Sequence, residues 1–149
     1  MIAIKEVFTE NMTKDVNVLV FAFVGDSVYT TFVRSKFAFS GYKTGKLNSI
    51  CNKYVCAKGQ SSAIDIVMDI LNEDEKRICN TARNSHTKNI AKHSSIDDYH
   101  KATSFEALLG YLYLTDKKER LDYILNFVYD KLGELLWLLK VKIPALKPL

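Results

Sequence analysis

Proline and glycine are scarce in this sequence of 149 residues, which has 2 prolines and 6 glycines. Both prolines, Pro144 and Pro148, lie close to the C-terminal end. Proline breaks helices and glycine weakens them, so a body nearly free of both favours long helices. Apolar residues recur at helical spacing, and no segment alternates convincingly with a period of two. The sequence therefore predicts an all-α fold with one domain over residues 1–149, a core over about 16–140 and a flexible tail over 141–149.

Cysteine is also sparse, and no leader segment is evident. The three cysteines include no Cys-x-x-Cys pair, which argues against a disulfide framework and against a zinc ribbon. The first residues lack the apolar run of a signal peptide. The most apolar stretch, residues 16–33, contains Asn17, Gly25 and Asp26, and we expect it to fall short of a membrane span. These absences predict a soluble, cytoplasmic protein with no membrane partner.

Hydrophobic periodicity places the helices. It predicts helices over about 16–36, 44–57, 60–71, 96–114 and 117–140, with a break at Ser40-Gly41. Asn72 is a candidate N-cap of a further helix, because Glu75 follows at the spacing of a capping box. Residues 84–95 are polar and aperiodic, so we expect a loop there.

Two carboxylates occupy unusual places. Asp26 and Glu106 each lie among apolar residues of a predicted buried helix, where an unpaired charge costs several kcal/mol or shifts its pKa. Gly25 precedes the first acid and Gly110 follows the second by one turn, so the two helices can cross closely. A crossing would bring the acids together around Mg²⁺ or Mn²⁺, which prefer oxygen ligands. The alternative is that both acids face solvent or pair with cations.

A basic segment precedes the helix predicted over about 96–114. Residues 76–96 contain no Asp or Glu but include Arg83, Lys88 and Lys92. Such a segment can contact phosphates without reading bases, as recognition of A-form duplexes mostly requires. The alternative is an ordinary solvated loop. Lys58 and Gln60 lie at a predicted junction between helices, and by themselves they indicate no particular function.

At Gly25-Asp26 and at residues 105–110, Phe-Glu-Ala-Leu-Leu-Gly, the sequence resembles the ribonuclease III catalytic domain. The mini-ribonuclease III branch, which consists of that domain alone, is the more similar. The similarity lies in Ala-Phe-Val-Gly-Asp-Ser-Val-Tyr at 22–29, Val33-Arg34, Val55-x-Ala57-Lys58-x-Gln60, Arg83-Asn84, residues 103–114 and Glu119-Arg120-Leu121. The order and spacing of these motifs over about residues 16–125 are more specific than any one motif.

The resemblance implies a helical homodimer that cuts double-stranded RNA and leaves 5′-phosphate and 3′-hydroxyl ends. Asp26 and Glu106 would be the catalytic residues and would hold Mg²⁺, with Mn²⁺ as a substitute. It further implies a stem in the large-subunit (23S) ribosomal RNA precursor as substrate, and a ribosomal protein as helper. The residues implied to bind RNA are Lys58, Gln60, Arg83, Asn84, Lys88 and Lys92.

The sequence departs from the larger ribonuclease III enzymes at two positions. Ala22 and Thr103 stand where those enzymes carry acids, and the mini branch looks similar at both. The changes support the branch assignment but argue against a four-carboxylate metal site. We expect no double-stranded-RNA-binding domain after the catalytic one. A catalytically inactive RNA-binding protein with the same fold is the rival hypothesis, and the retention of Asp26 and Glu106 favours the enzyme.

Apolar residues cover most of the circumference of the helix predicted over 16–36, and Phe23 is one of them. One buried face needs fewer apolar positions than this. The excess indicates that the helix forms the two-fold interface of the homodimer. The alternative is a central core helix within one protomer.

Overall fold

The structure is a computed structural model that describes residues 6–85 and 95–139. Over these two ranges the chain is helical and has no strand, which confirms the predicted all-α class. The helices are α1 (Glu10–Asp15), α2 (Val18–Phe37), α3 (Thr44–Val55), α4 (Ala57–Val67), α5 (Glu73–Arg83), α6 (Ile96–Leu114) and α7 (Lys118–Leu138), with a short 3-10 turn at Met68–Ile70.

Helix α6 lies at the centre and packs against α2, α4 and α5. It buries eleven residues, so nearly its whole middle is enclosed by its neighbours. Between α2 and α6 the rings of Tyr29 and Phe105 meet edge to face with centroids 5.0 Å apart. Sequence periodicity predicted this helix at the observed bounds, because most of its second half is apolar and a polar segment precedes its start.

The predicted capping box at the start of α5 is present. The side chain of Asn72 accepts a hydrogen bond from the Glu75 amide at 2.9 Å, and Glu75 accepts one from the Asn72 amide at 2.9 Å. The Glu75 carboxylate is 1% exposed and also receives two hydrogen bonds of 2.8 Å from Arg120. Arg120 donates a third bond to the Ile70 carbonyl, so this buried ion pair joins α5 to α7.

The junction between α3 and α4 is tighter than predicted. Helix α3 ends at Val55 and α4 begins at Ala57, three residues before the predicted start at Gln60. The early start has a local cause, because the Cys56 sulfur accepts a hydrogen bond from the Gly59 amide at 3.4 Å and caps α4. Lys58 and Gln60 therefore belong to the first turns of α4. The predicted break at Ser40-Gly41 is confirmed, since Gly41 has φ of +79°.

We expected the apolar stretch of α2 to be too polar to span a membrane. Judged by length and composition alone, this expectation was wrong. Val18–Phe37 is long and apolar enough for a span, because its hydroxyl residues and single acid do not lower its mean hydropathy far enough. Core helices of globular proteins pass the same test, and 39% of this segment is buried inside the fold. The structure places α2 against α6, with Val20 and Phe23 on its exposed side.

Most of the predicted loop over residues 84–95, and all of the tail over 141–149, lie outside the described residues.

Candidate active site

Helices α2 and α6 cross with their main chains in contact, and glycine on both helices makes this possible. A Cβ added at Gly25 would overlap the Glu106 carbonyl oxygen and lie 2.8 Å from the Gly110 amide nitrogen. A Cβ added at Gly110 would overlap the Phe21 carbonyl oxygen. No side chain larger than hydrogen fits at either position without separating the helices. The predicted close crossing is therefore present, with the residues that were expected to form it.

The crossing brings Asp26 and Glu106 into one site. The prediction of a buried acid was wrong for Asp26, which is exposed because it lies on the outward side of α2 next to Phe23 and Ser27. Glu106 is mostly enclosed by the packed helices, as predicted. Burial, with a further contribution from the nearby negative charge of Asp26, raises the pKa of Glu106 to about 7. A hydrogen bond with the Gln60 side chain opposes that increase. A carboxylate in this position favours a bound cation, because a positive charge would remove both causes of the raised pKa.

Gln60 is placed by α4 against Glu106 rather than on the surface. Its side chain is 2% exposed, and its Nε2 donates a hydrogen bond to the Val55 carbonyl at 2.9 Å. We predicted that Gln60 contacts RNA. This burial instead favours a role beside Glu106, and that contact was not foreseen because the two residues lie far apart in the sequence.

The donor set suits a divalent cation that keeps much of its water. Among the described residues no third acid, histidine or cysteine joins Asp26 and Glu106 in a metal-binding group. Ala22 has no oxygen to offer, and the hydroxyl of Thr103 donates to the Tyr99 carbonyl at 3.0 Å. The two carboxylates supply oxygen ligands of the kind that Mg²⁺ and Mn²⁺ bind together with additional water ligands.

Three of the residues predicted to bind RNA lie near the N-terminal end of α6. Arg83 donates to Asp97 at 3.0 Å, and Asn84 is exposed at the end of α5. Lys58 is exposed. Hydrogen bonds from Ser61 and Ser95 lower the pKa of Asp98, and the positive charge of Lys58 makes a smaller contribution in the same direction. Asp98 precedes Glu106 by eight residues, or about 12 Å along the helix axis. The remaining two, Lys88 and Lys92, lie outside the described residues.

A second acid-free region was missed when the sequence was considered alone. Residues 27–64 contain no Asp or Glu. They carry six basic residues: Arg34, Lys36, Lys43, Lys46, Lys53 and Lys58. The signal that could have revealed this region is the lack of acidic residues over a long stretch, which is harder to notice than a cluster of basic residues. The region runs from α2 to α4, so the part of the chain that leads up to Gln60 carries positive charges and no negative ones.

Comparisons with known proteins agree with this architecture. The ribonuclease III domain family model matches residues 19–117. A mini-ribonuclease 3 of Clostridium tetani is 38% identical over 84% of this chain and 84% of its own length. A mini-ribonuclease 3 of Brevibacillus brevis is 40% identical over 78% of this chain and 90% of its own. The crystal structure of a Fusobacterium nucleatum protein superposes with a TM-score of 0.73 at 30% identity, covering 80% of this chain and 96% of that one.

The matched region contains both helices of the crossing, Asp26, Glu106 and the early turns of α4. The sequence motifs, the helical architecture and the relatives all point to one group. The chain therefore belongs to the ribonuclease III family of endoribonucleases, in its mini-ribonuclease 3 branch.

Proposed function

We propose that this protein is a divalent-metal-dependent endoribonuclease that hydrolyses phosphodiester bonds in double-stranded RNA and leaves 5′-phosphate and 3′-hydroxyl ends. The observation that carries the proposal is the crossing of α2 and α6, which brings Asp26 beside the largely buried Glu106. A largely enclosed acid such as Glu106, with a second carboxylate nearby, is unfavourable for stability unless a cation joins them.

Asp26 and Glu106 would hold Mg²⁺, or Mn²⁺ as a substitute. The bound ion would lower the pKa of a water and stabilise negative charge on the phosphate. Glu106 must lose its proton to bind the ion, and a pKa of about 7 makes this loss easy near neutral pH once a cation is present. Gly25 and Gly110 keep the main chains in contact and so limit how far apart the two carboxylates can move.

The basic residues favour a polyanionic substrate. Lys58, Arg83 and Asn84 lie on the exposed surface around the N-terminal end of α6, and we assign phosphate or 2′-hydroxyl contacts to them. Lys88 and Lys92 would add contacts from the basic segment. From the family resemblance we infer that the substrate is a stem in the large-subunit (23S) ribosomal RNA precursor, cut in the cytoplasm with a ribosomal protein as helper.

A homodimer fits a substrate with two strands. Each protomer has one pair of acids, and a two-fold axis would direct two identical sites at the antiparallel strands of one duplex. The outward side of α2 supports an interface there, since Phe23 is 80% exposed and Val20 is 43% exposed. Beside them, a groove of about 680 Å³ is lined by residues of α2, α6 and α7, Val24, Val28, Phe32 and Tyr113 among them.

The rival hypothesis is an RNA-binding protein of the same fold that has lost catalysis. Ala22 and Thr103 agree with it, because neither supplies a carboxylate. The glycine crossing argues against it, because Gly25 and Gly110 weaken their helices and have their clearest use in bringing the two acids together.

Cleavage of end-labelled duplex RNA tests the proposal. We expect the purified protein to cut the duplex with Mg²⁺ and not with EDTA. Asp26→Asn should bring cleavage below detection while the helical circular dichroism and the affinity for RNA are kept. Asp69→Asn, which changes an exposed acid in the 3-10 turn, is the matched control and should cleave normally. Binding of duplex RNA without cleavage by the wild-type protein would favour the rival hypothesis.

A further inference from the structure

In the side-chain amide of Gln60, the nitrogen has a hydrogen-bond partner and the oxygen has none among the described residues. Its Nε2 donates to the Val55 carbonyl at 2.9 Å, which fixes the orientation of the amide, since the reverse orientation would oppose two oxygens. Its Oε1 is buried and has no hydrogen-bond partner among the residues that the structure describes. A buried amide oxygen without a partner is rare in folded proteins, so each case calls for an explanation.

The surroundings of the Gln60 amide suggest the partner of its oxygen. The amide nitrogen also donates a hydrogen bond to Glu106, which lowers the pKa of that carboxyl, so the amide lies beside one of the two candidate metal ligands. Side-chain amide oxygens are ordinary ligands of hard divalent cations, either directly or through a bound water. The described site is short of oxygens, because Ala22 offers none and the Thr103 hydroxyl donates elsewhere.

We propose that Gln60 is a third member of the cation site, whose side-chain oxygen gains its missing partner, the cation or a water bound to it, when the site is loaded. This inference rests on the proposed function, since it needs Asp26 and Glu106 to hold a divalent cation. The hydrogen bond to Val55 would hold the amide in place before the cation arrives. Gln60 would thereby tie the α3–α4 junction to α6 at the site.

The sequence offers a direct probe, because Gln60 is the only glutamine in the chain. Glutamine labelled with ¹³C at Cδ and ¹⁵N at Nε2, incorporated by cell-free synthesis, gives one side-chain amide signal in the RNA-free protein. We expect Mg²⁺ to shift the ¹³Cδ signal and substoichiometric Mn²⁺ to broaden it strongly. Asp26→Asn should suppress both effects. A second glutamine introduced by Lys131→Gln, on the exposed side of α7, provides an internal reference that should stay sharp.

Two variants test the affinity for the cation. Gln60→Met keeps the length of the side chain without its oxygen, and it should weaken Mn²⁺ binding about tenfold, measured by electron paramagnetic resonance without RNA. Gln60→Glu adds a carboxylate at the same position and should tighten it. An unmoved amide signal in wild-type protein that binds Mn²⁺ and cleaves RNA would overturn this inference and leave the proposed function intact. Wild-type protein that neither binds Mn²⁺ nor cleaves RNA would overturn both.

Discussion

Replacing Gly25 by alanine tests the contact between α2 and α6 on which the site depends. In an unconstrained helix the change would stabilise the protein by about 1 kcal/mol, because alanine has the higher helix propensity. Here the new Cβ would overlap the Glu106 carbonyl oxygen and lie 2.8 Å from the Gly110 nitrogen. Both are main-chain atoms that cannot rotate away, so the helices must separate. Overpacking costs about 1–3 kcal/mol and occasionally more. Because the overlap here is severe and involves main-chain atoms, we expect a cost of about 3 kcal/mol or more, which exceeds the helix-propensity gain by about 2 kcal/mol.

Urea denaturation of the metal-free protein, followed by circular dichroism, measures this loss as a lower midpoint at an unchanged slope. Gly133→Ala is the matched control, since the nearest atom to its Cβ is the Tyr54 hydroxyl at an ordinary 3.7 Å. We expect that variant to gain about 1 kcal/mol. Separation of the helices would also move Asp26 away from Glu106, and misplacement by about 1 Å can lower the cleavage rate about a hundredfold. If Gly25→Ala were as stabilising as Gly133→Ala, the two main chains would not be in contact.

Three further predictions follow from other contacts. Arg120→Met should lower the free energy of unfolding by about 3 kcal/mol, because it leaves the buried Glu75 carboxylate unpaired; an unchanged urea midpoint would contradict this. In EDTA, the stability of the wild-type protein should fall by up to about 3 kcal/mol as the pH rises from 4.5 to 7, because folded Glu106, with its raised pKa, retains a proton that the unfolded state has released. That fall should be smaller in Glu106→Gln, and an equal fall in both proteins would mean that Glu106 does not cause it. Light scattering should give twice the 17.0 kDa chain mass for the wild type, and Phe23→Glu should give a monomer with reduced cleavage; a wild-type monomer that cuts both strands efficiently would refute the dimer.

The features that the sequence determined by itself are those set by neighbours along the chain. A capping box joins residues three apart, and a helical apolar stripe joins residues three or four apart, so Asn72–Glu75 and the bounds of α6 could be predicted. The two acids and their glycines were also visible, because a charge within an apolar helix is anomalous before any partner is known. The predicted crossing needed only the inference that two such anomalies have one common cause.

Contacts between distant parts of the chain were decided by the tertiary structure alone. The burial of Gln60 beside Glu106, the pair of Arg83 with Asp97, and the pair of Glu75 with Arg120 join residues 14 to 46 positions apart. No periodic pattern links such residues, because each contact depends on how whole helices pack. The early start of α4 likewise depended on Cys56 acting as a cap, and cysteine is seldom chosen by sequence rules for that position.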